Sequence, residues 1–207
     1  GLDFEIVHAA NSAAALSLPE ARFDMVRVGI LLSGHIPAPH LAENIELTRA
    51  LTLRSRLARI HALDVGDTVG YGRTWAASRP SIVGLVPVGY ADGYERAISN
   101  RGEALVRGVR CPVIGHVSMD QLGLDLTALA EVAEGDEVVL IGRQGGDEIT
   151  ADEVAGWTGT ISYEVLCGIS ARVPRRYMHS GEPVEVCNLL GCSPVRKRKS
   201  ARKELSR

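Results

Sequence analysis

The hydrophobic pattern divides the chain into two main parts. In the first part, the apolar runs 4–10 and 25–32 each predict one buried strand, and the polar pair Asn11-Ser12 separates the first run from an alanine-rich helix candidate. This order of strand, polar cap and helix is typical of a β/α unit, and two such units cannot close a barrel or a doubly wound sheet. We therefore expect residues 1–45 to be the end of a larger α/β fold.

Beyond this segment, short apolar runs alternate with turn signals such as Gly-Asp. Strands are predicted at 50–61, 68–71, 81–88, 103–106, 111–119, 122–126 and 137–141. Thr150 and Glu153 form a capping-box pattern that predicts a short helix, and 185–189 is a candidate last strand. Residues 46–190 are therefore predicted to form a mostly β domain.

Composition narrows the class of protein. Of the 207 residues, 45% are hydrophobic and 23% are charged, which allows the chain to bury a core. No apolar run approaches the roughly 20 residues of a membrane helix. The first residues lack the basic region of a signal peptide, so the cytoplasm is the expected compartment.

The lysines are confined to one end of the chain. Lys197, Lys199 and Lys203 are the only lysines, and they lie in the segment 196–207, which carries a net charge of +6. Because the whole chain carries −2, the first 195 residues carry −8 and are not expected to bind nucleic acid. Residues 191–207 are predicted to form a basic, disordered tail, with contact to RNA or anionic lipid as the alternative.

The cysteines do not form a recognisable metal-binding pattern. Cys187 and Cys192 are five positions apart and no histidine pair accompanies them, so no metal site is expected. Reduced and mostly buried thiols are predicted for these two residues and for Cys111 and Cys167.

The middle of the chain contains specific strings of residues. They are VGYGRTW at 69–75, VPVGYADGY at 86–94, SMDQ at 118–121, IGRQG at 141–145 and TISYE at 160–164. In this order and at these spacings they resemble alanine racemase, the pyridoxal-phosphate enzyme that interconverts L- and D-alanine. The resemblance extends from residue 8 to residue 175.

The resemblance implies a fold-type III homodimer with a TIM-type (β/α)₈ barrel, a β-barrel-like C-terminal domain and active sites shared between subunits. Residues 1–45 match the last β/α units of that barrel, and residues 46–190 match the β domain. The barrel lysine that forms the Schiff base has no counterpart before Lys197.

Tyr71 matches the family's tyrosine base. Racemisation removes a proton from one face of Cα and delivers another to the opposite face, so two bases must flank the cofactor. A phenol is ordinarily protonated at neutral pH, so such a site must favour the phenolate with nearby positive charge. Taken without the family, a tyrosine between Gly70 and Gly72 is more typical of a turn.

The resemblance assigns the cofactor contacts to six residues. Arg27 matches an arginine at the pyridine nitrogen, and His8 matches the histidine that supports it; the alternatives are a salt bridge from Arg27 to Asp24 and an ordinary core histidine. The phosphate contacts match Ser12, Gly29, Ile30 and Tyr163, and the alternative for Ser12 is a plain helix cap.

Substrate contacts across the dimer match Tyr90, Met119 and Asp120. Arg96, His116 and Ile161 match positions at the entrance, where cations attract a carboxylate. The family commonly has arginine where this chain has His116, so the entrance charge is expected to be weaker and to depend on pH. Asp92 and Asp125 are interpreted as structural.

The resemblance predicts supply of D-alanine for peptidoglycan. Two alternatives stay open, namely a racemase for serine or another small amino acid, and a non-catalytic dimerisation module. Because the chain has the tyrosine and no barrel lysine, we expect it to be inactive by itself.

Overall fold

The computed structural model describes residues 3–41 and 45–195. The chain divides into two compact units, Gly1–Gly168 and Ile169–Arg207. Within the described residues, no helix has the length and apolar character needed to cross a membrane.

The start of the first unit contains one helix and three 3₁₀ turns. Helix α1 spans Ser12–Ser17, and the turns span Pro19–Ala21, Ile30–Ser33 and Pro39–Leu41. The strands predicted at 4–10 and 25–32 are wrong, because neither segment forms a ladder. A strand must pair with a neighbouring strand along its length, and the two segments share only isolated hydrogen bonds such as the one from the Arg27 N–H to Ala10 O at 2.8 Å.

The rest of the first unit is built on antiparallel strands. Their bounds are β1 Leu53–Arg56, β2 Arg59–Leu63, β3 Thr68–Val69, β4 Trp75–Ala76, β5 Ser81–Val86, β6 Glu103–Val106, β7 Val109–Ile114, β8 Leu122–Asp125, β9 Glu137–Gln144 and β10 Asp147–Ile149. Eight of these strands form one sheet in the order β1-β9-β6-β7-β8-β5-β2, with β10 paired to β9, while β3 and β4 form a separate hairpin. The prediction of a mostly β domain is confirmed.

The single strand predicted at 50–61 is two strands, β1 and β2, which lie at opposite edges of the sheet. Only Leu57 and Ala58 separate them, and three residue steps span at most about 11 Å. Seven strands laid flat would hold the two edges about 29 Å apart. The sheet must therefore curl on itself, which gives the barrel-like form that the resemblance implies.

The interior of the curled sheet is aliphatic. Leu57 is 2% exposed and fills the turn between β1 and β2, and the buried run in β9 continues from Val138 to Ile141. Cys111 in β7 is buried as predicted, and burial raises the pKa of its thiol to about 11. Branched side chains rather than aromatic rings supply most of this core.

Two helices follow the sheet, α2 at Ala151–Thr158 and α3 at Ser162–Gly168. The predicted cap of α2 is confirmed, since the Thr150 hydroxyl accepts the N–H of Glu153 at 3.1 Å. Helix α3 overlaps the TISYE string, where the sequence pattern predicts no helix. It carries Cys167, which is exposed, so the prediction of a buried thiol there is wrong.

The second unit holds a three-stranded sheet, with β11 at Arg175–His179, β12 at Glu182–Asn188 and β13 at Gly191–Pro194. Strand β13 lies where the disordered tail was predicted to begin, so that boundary is wrong; residues 196–207 lie outside the described residues. Cys187 and Cys192 form a disulfide, which corrects the prediction of reduced thiols. The two-residue turn places them opposite one another in the ladder.

Arg110 joins β7 to the β9–β10 hairpin and to α2. Its guanidinium contacts Glu103 at 3.0 Å, Asp147 at 2.8 Å and Glu153 at 2.5 Å, and it also donates to the Glu148 carbonyl at 2.7 Å. The hydrogen bond from this guanidinium holds the pKa of Asp147 below its usual range. One cation thus bridges three carboxylates and reduces the repulsion between them.

We expect Arg110→Met to lower the free energy of unfolding by about 2 kcal/mol, because it leaves three carboxylates unpaired at a side chain that is 29% exposed. Arg143→Met is the matched control. The Arg143 side chain pairs with Glu148 and is 78% exposed, so its loss should change the free energy of unfolding by no more than about 0.5 kcal/mol. Urea denaturation measures the free energy of unfolding of both variants.

A carboxylate with a depressed pKa stabilises the fold above its unfolded pKa and loses that effect as pH falls. The loss of stability in Arg110→Met should therefore shrink below about pH 4. Equal effects of the two substitutions, or an undiminished difference in acid, would contradict this role.

Candidate active site

Arg27 and His8 are paired at the start of the first unit. The Arg27 guanidinium donates to His8 Nδ1 at 2.7 Å, and because arginine has no acceptor, His8 must carry its proton on Nε2. Asp24, the alternative partner of the arginine, instead accepts the N–H of Val7 at 2.9 Å. Both Arg27 and His8 are exposed, so the pair faces away from a core.

Ser12 and Gly29 form the second contact of this segment. Asn11 caps α1 by accepting the Ala14 N–H at 3.0 Å, so Ser12 is the first helical residue rather than the cap. The Ser12 hydroxyl is free of the capping role and accepts the Gly29 N–H at 3.0 Å. A Cβ placed on Gly29 would meet nothing within 4 Å, so the space beside this backbone is open. Ile30 follows and is buried.

Tyr71 stands at the tip of the β3–β4 hairpin. The chain turns there through Gly70 and Gly72, with φ of 74° and 72°, and Arg73 also has a positive φ. Glycine adopts this left-handed conformation without strain, which explains the Gly-Tyr-Gly string. The tyrosine side chain is 77% exposed and projects from the hairpin.

Asn100 holds this hairpin against the segment after β7. Its amide donates to the Thr74 hydroxyl at 3.1 Å, and its carbonyl accepts the Gly115 N–H at 2.7 Å. The His116 ring lies beside the hairpin, with Cδ2 3.7 Å from the position of a Cβ on Gly72. No sequence pattern marks Asn100, because its positive φ of 57° at a turn is detectable only in the fold.

Tyr90 and Met119 are brought together by backbone pairing. Strands β5 and β7 flank β8 and run in the same direction, so the segments that follow them emerge at the same end of the sheet. The Tyr90 N–H donates to Ser118 O and the Ala91 N–H to Met119 O, both at 3.0 Å. A Cβ on Gly89 would lie 2.2 Å from the Ser118 carbonyl oxygen, so only glycine allows this approach.

Asp92 and Asp125 have the structural roles that the sequence analysis gave them. Asp92 accepts the Gly89 N–H at 2.9 Å and closes the turn that carries Tyr90. Asp125 accepts the Thr127 N–H at 2.9 Å and lies 3.5 Å from the Arg79 guanidinium.

Most of the substrate and entrance side chains near the Gly89 turn are exposed, and His116 is half-buried. Arg96 begins the 3₁₀ turn Arg96–Ile98, and its carbonyl accepts the Ser99 hydroxyl, which in turn accepts the Val117 N–H at 2.9 Å. Met119 is 55% exposed, and Asp120 beside it is also exposed. The structure therefore groups Tyr71, Tyr90, Arg96, His116, Met119 and Asp120 at the loops that join the strands.

Ile161 and Tyr163 lie where α2 turns into α3. Ile161 is 60% exposed and its carbonyl accepts the Glu164 N–H at 3.0 Å, which begins α3. Tyr163 is 38% exposed on the first turn of α3.

A contact that the sequence analysis missed joins the start of the chain to α2. His35 is 3% exposed and its Nδ1 lies 3.0 Å from the Asp152 carboxylate. Burial raises the pKa of Asp152, but hydrogen bonds from Ser162 and His35 and the charge of Arg49 bring it below the usual value. The pair lies 117 positions apart in sequence, so no local pattern could reveal it.

Two family descriptions match the chain. Residues 50–177 match the alanine racemase C-terminal domain, and residues 1–37 match the alanine racemase N-terminal domain. Residues 38–49, which precede β1, separate the two matches. Both matches belong to one family of amino-acid isomerases.

Individual relatives agree with both matches. The alanine racemase of Symbiobacterium thermophilum is 52% identical over 172 residues, which is 83% of this chain and 46% of that protein. The crystal structure of alanine racemase from Bacillus anthracis with bound L-Ala-P is 41% identical, has a TM-score of 0.87, and matches 92% of this chain and 49% of that one. Alanine racemase from Bartonella henselae with covalently bound pyridoxal phosphate is 32% identical, with a TM-score of 0.72 over 82% of this chain and 46% of that one.

The chain belongs to the alanine racemase family. It spans about half the length of the relatives that it matches.

We expect Gly89→Ala to separate the Tyr90 turn from Met119, because the new Cβ would collide with the Ser118 carbonyl. The substitution should lower the free energy of unfolding by about 1–3 kcal/mol and remove the slow exchange of the Tyr90 and Ala91 amides. Gly146→Ala, where a Cβ meets nothing within 4 Å, is the control and should leave both unchanged. Hydrogen exchange followed by mass spectrometry measures the protection of the Tyr90 and Ala91 amides. Unchanged protection in Gly89→Ala would contradict the requirement for glycine at position 89.

Proposed function

We propose that this chain supplies the tyrosine side of a racemase site that acts on alanine with pyridoxal phosphate. One observation carries the proposal: Tyr71 is exposed at the tip of a glycine-hinged hairpin that Asn100 braces. An outward-facing phenol on a braced hairpin suits a group that enters a site outside its own subunit. The finer assignments below belong to the same proposal.

Several residues at the start of the first unit fit pyridoxal phosphate. The Ser12 hydroxyl accepts the Gly29 N–H and has its own O–H to donate, and the space beside Gly29 is open, which suits a phosphate. Arg27, held by His8, offers a permanent positive charge for the pyridine nitrogen. Ile30 and Tyr163 are assigned to the remaining phosphate contacts by their family positions.

Pyridoxal phosphate, when bound, withdraws electrons from the Cα of an amino acid and so makes its proton removable. The Arg27 guanidinium donates hydrogen bonds but does not release its protons, so its positive charge would disfavour protonation of the pyridine nitrogen and limit this withdrawal. His8 fixes the direction of the guanidinium through Nδ1. Their combined task is to favour proton transfer over competing reactions at the cofactor.

Tyr71 is proposed to hold and move the proton at one face of Cα, through its phenolic oxygen. The opposite face needs the barrel lysine of the family. The lysines of this chain are at 197, 199 and 203, and none lies in residues 1–45, which match the barrel. We therefore propose a homodimer in which Tyr71 completes the site of the other subunit. By itself the chain is proposed to be inactive.

Substrate selection is assigned to the loop group. Tyr90, Met119 and Asp120 are held beside one another by the Gly89 turn and would contact the substrate. Arg96, His116 and Ile161 would line the entrance, where the arginine attracts an amino-acid carboxylate. Alanine is the proposed substrate, and the alternative is serine.

The proposed setting is cytoplasmic supply of D-alanine for peptidoglycan. Residues 1–45 would act as part of the cofactor barrel and residues 46–190 as the β domain that provides Tyr71. The −8 charge of the first 195 residues disfavours nucleic acid as a partner.

A chimaera tests the role of Tyr71. The part of the Symbiobacterium thermophilum relative that precedes the matched residues is fused before residue 1, which adds the barrel lysine. Tyr71→Phe should then slow racemisation of alanine by about 10²–10⁴-fold, because one face of Cα loses its proton carrier. A coupled assay of D-alanine with D-amino-acid oxidase measures the rate.

Three controls accompany the chimaera. Tyr177→Phe removes an exposed phenol from β11 and should leave the rate unchanged. The chain without the fused part, given excess cofactor, should racemise no faster than free cofactor. L-serine tests the alternative substrate. Unchanged racemisation in Tyr71→Phe would reject the base, turnover by the unfused chain would reject its inactivity, and a large preference for serine would reject alanine.

A further inference from the structure

The hairpin of β12 and β13 brings three metal-binding side chains together within the second unit. Cys187 and Cys192 are direct partners in the ladder. Glu185 precedes Cys187 by two positions, so it lies on the same face of β12. The two sulfurs and a carboxylate oxygen lie within 4.8 Å of one another.

The cluster is open to solvent. Cys192 is exposed, and Glu185 and Cys187 are half-buried. The structure joins the two sulfurs as a disulfide, and in that form neither sulfur is the thiolate that binds metal ions. Reduction would therefore change the chemistry of this surface without any movement of the strands.

We propose that Cys187, Cys192 and Glu185 form a redox-controlled site for a thiophilic divalent cation such as Zn²⁺, closed as the disulfide and open as the dithiol. A small thiol reductant supplies two electrons and two protons; the S–S bond breaks, two thiols form, and the reductant becomes a disulfide. The thiols then release their protons to solvent as the cation binds. The Glu185 carboxylate is the third ligand and water the fourth, which gives a site with three protein ligands.

The required spacing is compatible with the hairpin. Tetrahedral Zn²⁺ with Zn–S bonds of about 2.3 Å needs sulfurs about 3.7 Å apart. Rotation about the Cα–Cβ bonds of two opposed cysteines provides that change. It leaves the backbone pairing of Cys187 with Cys192 in place.

The hairpin has supports other than the disulfide. Strand β12 is the central strand and pairs with β11 on its other side. Its turn is held by the Leu190 N–H, which donates to the Asn188 side chain at 2.8 Å. Arg175, opposite Cys187 in the ladder, directs its guanidinium to the carbonyls of Ile169, Ser170 and Val173 at 2.7–2.9 Å. These contacts should keep the three ligands in register after reduction.

Co²⁺ is the probe, because bound thiolates give it a charge-transfer absorption that aqueous Co²⁺ lacks. The full chain is reduced with a phosphine, which takes up oxygen from water as it cleaves the disulfide, and is titrated with Co²⁺ alone. We expect one Co²⁺ per chain with this absorption, displaced by Zn²⁺, and none in the oxidised chain. Glu185→Gln should weaken binding about tenfold or more.

Cys192→Ser should abolish the charge-transfer absorption that two thiolates give, whereas Cys167→Ser, which removes an exposed cysteine outside the hairpin, should retain it. A denaturing concentration of urea should also abolish it, since the ligands depend on the strand register. The proposal is overturned by a reduced chain without the absorption, by its persistence in Cys192→Ser or in urea, or by its loss in Cys167→Ser.

Discussion

The short connection between β1 and β2 is the constraint on which the first unit depends. Two residues, Leu57 and Ala58, join strands that lie at opposite edges of the sheet. Leu57 donates its N–H to Asp136 O, just before β9, at 2.9 Å, and Ala58 donates to Leu85 O in β5 at 2.8 Å. The connection is therefore hydrogen-bonded next to both edges of the sheet. The curl that follows encloses the aliphatic core. Because β5 and β7 are both antiparallel to β8, the loops that follow them lie at the same end of the sheet.

The candidate site follows from that arrangement. The loop after β5 carries Tyr90 and the loop after β7 carries His116 and Met119, and backbone hydrogen bonds join them. Asn100 then attaches the Tyr71 hairpin to the same loops. A rigid sheet thus positions exposed side chains, which is the usual way in which loops acquire function.

Sequence reasoning succeeded where local chemistry determines the structure. Strand β6 has the predicted bounds of 103–106, and the Thr150 cap forms as expected, because alternation and capping act over a few residues. The runs 4–10 and 25–32 have apolar sequences typical of strands, but a strand forms only when another segment pairs with it. Their predicted state depended on contacts that a local pattern does not contain.

Long-range pairing set the other limits of prediction. The His35–Asp152 contact, the Arg110 network and the Cys187–Cys192 register all require the fold before the partners are known. The motif strings located the Tyr71, Tyr90 and Met119 segments because the family resemblance already contains that fold. Composition contributed one lasting fact, which is that the lysines are confined to residues 197–203.

The central claim is that Tyr71 completes the active site of a partner subunit, and mixing two inactive subunits tests it most directly. One chimaeric subunit carries Tyr71→Phe, and the other lacks the lysine of the fused barrel part. If the base acts across the dimer, random exchange makes half of the dimers mixed, each with one intact site, and restores about one quarter of the parent activity. A mixture that exchanges subunits and stays inactive would contradict the account.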